Sequence, residues 1–309
     1  MQRHDADRLG RAIVVGLSLV LSGATALSAP AASAADLAPL NVPASTEHHP
    51  GKIVFAELVT PDIAAAKQFY GSLFGWSFQD FEQSQGSFTQ ASLDGQVVAG
   101  MFQRPLPTGR RPNWISFIAT SDLDASEGLA VQAGAKVLLP PHQLAELGRE
   151  AVFTDPQGGV FAMLQSTSGD PPDLLADPGD WIWSSLITTD PTKAVTFYKT
   201  VFGYDLFNMS TPQDPATAQH MLMASDNFAR ASVNSIPSSW VGARPRWLDY
   251  IRVDDATAMA AKATSLGGKV VLSPRVDRHG GKIAILADPQ GALFGVMEWP
   301  TDAPAGNAK

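Results

Sequence analysis

The chain has 309 residues, 45% hydrophobic and 17% charged, with a formal net charge of −8 and no cysteine. The length accommodates two globular domains. The acidic balance gives no footprint for nucleic acid or an anionic membrane, and the missing thiols exclude disulfides, thiolate metal sites and a cysteine nucleophile.

Arg3, Arg8 and Arg11 come first, followed by the uncharged apolar run Ala12 to Leu27 and then Ala32-Ser33-Ala34. This is the pattern of an export signal with a small-residue cleavage site, and the apolar run falls short of the roughly 20 residues of a membrane span. The expectation is cleavage after Ala34, delivery to the periplasm or outside of a bacterial cell, and no membrane association afterwards. Residues 35–51, rich in Ala, Pro and Ser and holding His48-His49, read as a loose solvated tail.

Ile53 to Val59 reads as a strand, with Ile53, Phe55, Glu57 and Val59 on one face. Next comes TPDIAAAKQFYGSLFGW, Thr60 to Trp76. Its apolar residues Ala66, Phe69, Tyr70, Leu73 and Phe74 follow helical spacing, Asp62 stands as N-cap, and Gly75 stands where a helix ends. Three strands follow, with a hairpin turn at Asp94-Gly95. After a Pro/Gly/Arg connector, Trp114 to Thr120 opens a second β-α-β-β-β unit that closes near Gln165. Thr167 to Asp180, rich in Pro, Gly and Asp, reads as a linker.

The pattern then repeats. TDPTKAVTFYKTVFGYDLF, Thr189 to Phe207, copies the first helix, Trp247 to Val253 copies Trp114 to Thr120, and Asp288-Pro289-Gln290-Gly291 copies Asp155-Pro156-Gln157-Gly158. The offset is 128 residues at the helix and 133 from Trp114 onward, which places a five-residue insertion near Ser210 to Gln219. The implied organisation is a signal at 1–34, a tail at 35–51, domains at 52–166 and 181–299 joined by 167–180, and a tail at 300–309.

Four β-α-β-β-β units carrying F-Y-x-x-x-F-G and D-P-x-G, in this order and twice over, resemble the vicinal oxygen chelate superfamily, which includes glyoxalase I, extradiol dioxygenases and bleomycin-resistance proteins. The tandem glyoxalase-like branch is the nearest match. The resemblance implies an α+β fold in which each domain curls eight strands into a cup, helices outside and ligand inside. It also implies a divalent metal on fixed strand positions. In this chain those positions hold Phe55 and Trp183 on the first strands, Trp114-Ile115 and Trp247-Leu248 on the fifth, Ala99-Gly100-Met101 and Ala231-Ser232-Val233 on the fourth, and Ala162 and Gly295 on the last. Metal ligands of His, Gln or Glu type are missing from all of them, so no cofactor is expected, with a divalent metal as the alternative.

Aromatic side chains at ligand positions point to a cup that takes a flat or apolar small molecule, or to a cup filled by its own core. The expected lining is Phe55, Glu57, Trp114 and Ser116 in the first domain and Trp183, Ser185, Trp247 and Asp249 in the second, with Tyr250 beneath the helices. Glu57 is the one candidate base, unless it pairs with Arg110 or Arg111. Three functions follow: an exported binder of a small apolar or aromatic molecule, a glyoxalase-like lyase, isomerase or dioxygenase, or a non-catalytic scaffold. The protein is expected to be a monomer or homodimer.

Overall fold

The computed structural model describes residues 37–83, 86–211, 219–277 and 280–299. The expected signal at 1–34, the tail at 300–309, His279 and most of the Ser210–Gln219 insertion lie outside these residues. The first domain runs β1 (Ile53–Thr60), α1 (Ile63–Phe74), β2 (Ser77–Gln83), β3 (Gly86–Leu93), β4 (Gln96–Gln103), β5 (Asn113–Ala119), α2 (Leu123–Gln132), β6 (Lys136–Leu144), β7 (Gly148–Thr154) and β8 (Val160–Ser166). The second runs β9 (Trp181–Thr188), α3 (Pro191–Phe202), β10 (Asp205–Asn208), β11 (His220–Ser225), β12 (Phe228–Ser235), β13 (Arg246–Arg252), α4 (Ala256–Ser265), β14 (Lys269–Val276), β15 (Lys282–Ala287) and β16 (Leu293–Met297).

Each domain is one mixed eight-stranded sheet, ordered β2-β3-β4-β1-β5-β8-β7-β6 and β10-β11-β12-β9-β13-β16-β15-β14. The two units of a domain meet where the first strand pairs antiparallel with the fifth. The two repeated helices form as their sequences dictate. Asp62 accepts from the Ala65 N–H and Asp190 from the Lys193 N–H, and Gly75 and Gly203 close them in the left-handed conformation at φ 80° and 74°, which a side chain would strain.

The helices are outside each cup but inside the molecule. One core joins α1, β1 and β4 of the first domain to α4, β13, β15 and β16 of the second, and a second core joins α2, β7 and β8 to α3, β11 and β12. The helices therefore fill the space between two sheets whose concave faces point away from each other. At the centre β5 meets β13, and Ser116 on β5 donates to Asp249 on β13.

The repeated motifs serve this interface. Tyr70 of α1 receives the Trp114 indole N–H at 2.9 Å and faces Asp288 of the second domain. Tyr198 of α3 receives the Trp247 N–H at 2.9 Å and donates to Asp155 of the first. The D-P-Q-G glutamines reach across in the same way. Gln290 donates to the Asp62 carbonyl, and Gln157 donates to the Asp190 carbonyl while accepting from the Asp190 N–H.

Two sequence expectations change. Residues 37–51 do not form a loose tail: Leu37 and Leu40 are buried against the first cup, and the following residues are hydrogen-bonded along the linker. Ser45 N–H donates to the Ser168 carbonyl, and the backbone N–H of His49 donates to the Asp170 carboxylate. Strand faces also shift. A bulge between Ile53 and Phe55, repeated between Trp181 and Trp183, breaks the simple alternation. Ile53 consequently packs into the helix layer, while Phe55 stays in the cup.

Candidate functional site

Cross-strand partners share a face, so the pairing of the central strands sorts the predicted lining. Phe55 opposes Phe117, and Glu57 opposes Ile115. Trp183 opposes Tyr250, and Ser185 opposes Leu248. Phe55, Glu57, Trp183 and Ser185 therefore face the cups as expected. Trp114, Ser116, Trp247 and Asp249 do not, because they lie on the opposite face, in the helix layer and at the contact between the sheets. The sequence reading placed the fifth strand one residue out of phase. Ile115, Phe117, Leu248 and Tyr250 take the cup positions, and Tyr250 is in the cup rather than beneath the helices.

The first cup is largely filled. Phe55, Phe88 and Phe117 are buried together, with Leu144 and Leu147 beside them and Leu37 and Leu40 across them. Gly100, opposite Glu57, makes room for the floor, since a Cβ there would press on the Phe55 and Phe88 rings. Gln90 holds the crossing segment with both ends of its amide: Oε1 accepts from the Ala38 N–H at 3.0 Å and Nε2 donates to the Ala38 carbonyl at 2.9 Å. Polar chemistry survives at Glu57, Glu150 and His142. Burial, and then the charge of Glu150, push the half-buried Glu57 carboxyl well above the ordinary carboxylate range, against a smaller opposing effect of Arg104. No hydrogen bond or ion pair joins Glu57 to Arg110 or Arg111 among the described residues. Glu150 pairs through Oε1 with His142 Nε2 at 2.9 Å, which raises the His142 pKa.

The second cup has a different lining. Trp183 and Trp299 lie 6.3 Å apart at 40°, and Trp240, Ile283 and Leu293 are, like them, only partly buried around Leu248, Tyr250 and Ile285. A polar run crosses this apolar floor. His220 Nδ1 lies 2.5 Å from Asn234 Oδ1, Asn234 donates to Ser232, and the Ser232 and Ser185 hydroxyls lie 2.7 Å apart. The Trp183 N–H also donates to Ser232, and the Ser185 hydroxyl acts on the Tyr250 phenol. Burial pushes the Tyr250 phenol up to about 12, so it stays protonated at neutral pH and can donate.

The strand positions that hold the metal in the family do not suit one here. Facing the cups they present Phe55, Gly100, Ile115 and Ala162 in one domain and Trp183, Ser232, Leu248 and Gly295 in the other. A single hydroxyl, Ser232, is the only donor among them, and a divalent ion needs several N, O or S ligands. Gly295 cannot even carry a Cβ without overlapping the Tyr250 ring. Among the described residues no three His, Asp or Glu side chains converge to hold a metal elsewhere.

The sequence reading did not place Glu150, His142 or Asn234 in a site, set Ser232 aside as no metal ligand, and put Tyr250 beneath the helices. Glu150 and His142 are direct partners across β6 and β7, but two irregularities in that hairpin hide the register from residue spacing. Ser232 and Asn234 carry the period-two signal of β12 and could have been found by extending the face of Ser185 to its parallel neighbour.

Comparison with known proteins agrees with this geometry. Residues 52–163 match the profile of the Glyoxalase/Bleomycin resistance protein/Dioxygenase superfamily, and residues 183–297 match that of the Glyoxalase-like domain. "Putative glyoxylase CFP32" of Mycobacterium tuberculosis is 34% identical over 261 residues, covering 83% of this chain and 98% of that protein. The anthracycline biosynthesis protein DauV of Streptomyces sp. is 30% identical over 276 residues, covering 84% and 98%. In fold, the Mn(II)-bound glyoxalase of Novosphingobium aromaticivorans matches with a TM-score of 0.58 at 16% identity, over 81% of this chain and 83% of that one. With two matched domains, four β-α-β-β-β units and full-length relatives, the chain belongs to the glyoxalase/bleomycin resistance/dioxygenase superfamily, as a tandem two-domain member.

Proposed function

We propose that the protein binds a flat aromatic small molecule in its second cup, without a metal. The observation that carries this reading is the partly exposed aromatic group of Trp183, Trp240 and Trp299 beside the hydrogen-bonded run from His220 to Ser185. Indole faces supply stacking area, and the hydroxyl and amide groups fix orientation, which is how small-molecule sites combine apolar walls with a few polar anchors. Two relatives are named for anthracycline biosynthesis, and an anthracycline is built on fused aromatic rings, the shape that such a cup accepts. The test is quenching of tryptophan fluorescence by a dihydroxyanthraquinone. Saturable quenching, weakened at least tenfold (about 1.4 kcal/mol) by Trp183→Ala but not by Phe55→Leu, supports the second cup. Quenching unaffected by Trp183→Ala contradicts it.

We also propose that the protein is exported, on the strength of the Arg-rich start, the apolar run and Ala32-Ser33-Ala34. Mass analysis of protein secreted by a bacterial host should find Ala35 as the first residue. Unprocessed protein retained inside the cell would contradict export.

A further inference from the structure

The first cup holds something the second lacks. Glu150 lies on β7, on the same face as Val152 and opposite Leu164, both of the cup lining. Its side chain is 6% exposed. One oxygen meets His142, and the other, Oε2, is buried without any hydrogen-bond partner. Glu57, half-buried, projects from β1 onto the same cup face beside Ile115, where the Glu150 charge acts on it, and it makes no hydrogen bond among the described residues. Around these two carboxyls stand Phe55, Phe117, Ile115 and Val152. Buried polar atoms are normally paired, and two acidic groups facing one apolar space repel when both are ionised. His142 serves only Oε1 of Glu150, and among the described residues no donor, charged or neutral, meets Oε2. A metal ion is a poor fit, because among the described residues no three His, Asp or Glu side chains are placed to hold one and His142 Nε2 is already engaged with Glu150. An ammonium group needs only Oε2 of Glu150, which is buried without a donor, and an oxygen of Glu57, and an apolar body would suit the rings.

The space is covered by residues 37–40, which are held by two apolar side chains and by the Gln90–Ala38 pair. Segments tied down by so few contacts open at low cost compared with global unfolding.

We propose that the first cup is a second ligand site, closed by the Leu37–Leu40 strap, that takes an apolar molecule carrying a protonated amine between Glu57 and Glu150. This is independent of the aromatic site in the second cup. The ammonium stabilises the ionised form of Glu57, so binding releases a proton. The other charged groups acting there are Glu150, His142 and, from the rim, Arg104.

The probes are 2-phenylethylamine and its neutral isostere 2-phenylethanol, titrated by calorimetry into the intact chain and into the intact chain carrying Leu40→Ala. A second strap variant, Gln90→Ala, keeps the core side chains if Leu40→Ala folds poorly. Loosening the strap should tighten amine binding at least tenfold, and the alcohol should bind at least tenfold more weakly than the amine. Glu150→Gln in the loosened background should lose most of that preference. Repeating the titration in two buffers of different ionisation enthalpy should reveal the released proton. Equal binding of amine and alcohol, a preference that survives Glu150→Gln, or no binding of the amine in any variant would overturn the proposal.

Discussion

The Ser116 hydroxyl and the Asp249 carboxylate meet at 2.9 and 2.7 Å where the two sheets cross, and Ser184 donates to the same carboxylate at 2.6 Å. The contact holds the domains together and also makes their association depend on pH. Burial pushes the Asp249 pKa from 3.8 up to about 6, although the Ser184 and Ser116 hydrogen bonds pull the other way. Between those values the folded chain keeps a proton that the unfolded chain has lost. Stability therefore falls as pH rises through this window, and above it the ionised group costs about 3 kcal/mol. Asp249→Asn retains the shape without the charge. Its unfolding free energy should change less between about pH 4 and about pH 7 than that of the wild type. Asp180, pushed up to about 6 by burial, adds a slope of the same sign that the substitution leaves in place. Parallel pH profiles for the two proteins would contradict the assignment.

Tyr70 and Tyr198 each satisfy a buried indole N–H and face the carboxylate of the other domain. Removing either hydroxyl leaves a buried N–H and a carboxylate oxygen short of a partner, which costs about 1–3 kcal/mol for each unsatisfied group. Tyr198→Phe, with the shorter bond to its aspartate (3.1 Å against 3.4 Å), should lose more than Tyr70→Phe in urea denaturation. A loss below about 0.5 kcal/mol for both would show that these bonds are replaced by water.

Gly295 lies under the Tyr250 ring, so Gly295→Ala forces the ring aside and should destabilise by about 1–3 kcal/mol, as overpacking does. In the Tyr250→Ala background the same change should cost much less, giving a clear coupling energy in a double-mutant cycle of thermal melts. Additive effects would mean that Tyr250 does not occupy the place of the lost last-strand ligand.

The repeat, the helix boundaries and the family were all legible in the sequence, because caps, apolar spacing and D-P-Q-G are local signals. Which face a strand residue takes was less legible. One bulged residue before Phe55 and one before Trp183 reset the alternation, and a one-residue slip moves every side chain to the other side of a sheet. The bulge moved Ile53 into the helix layer; on the fifth strand the slip was in phase, since assigning Trp247 to the cup exchanged the places of Asp249 and Tyr250 relative to expectation. Pairings across domains, such as Tyr198 with Asp155, leave no trace in residue spacing, since the partners are set by how two complete sheets dock. The strap was misread for a related reason: Leu37 and Leu40 are too few to show periodicity, and their burial depends on a cup built from residues far along the chain.

A second cup that takes a flat aromatic ligand through stacking and hydrogen bonds alone needs no metal to bind it. The most direct measurement is calorimetric titration of a dihydroxyanthraquinone into chelator-treated protein, repeated after adding manganese or zinc. We predict one site per chain with the same affinity in both conditions, weakened at least tenfold by Trp183→Ala. Binding that appears only after the metal is restored would contradict metal-free binding in the second cup.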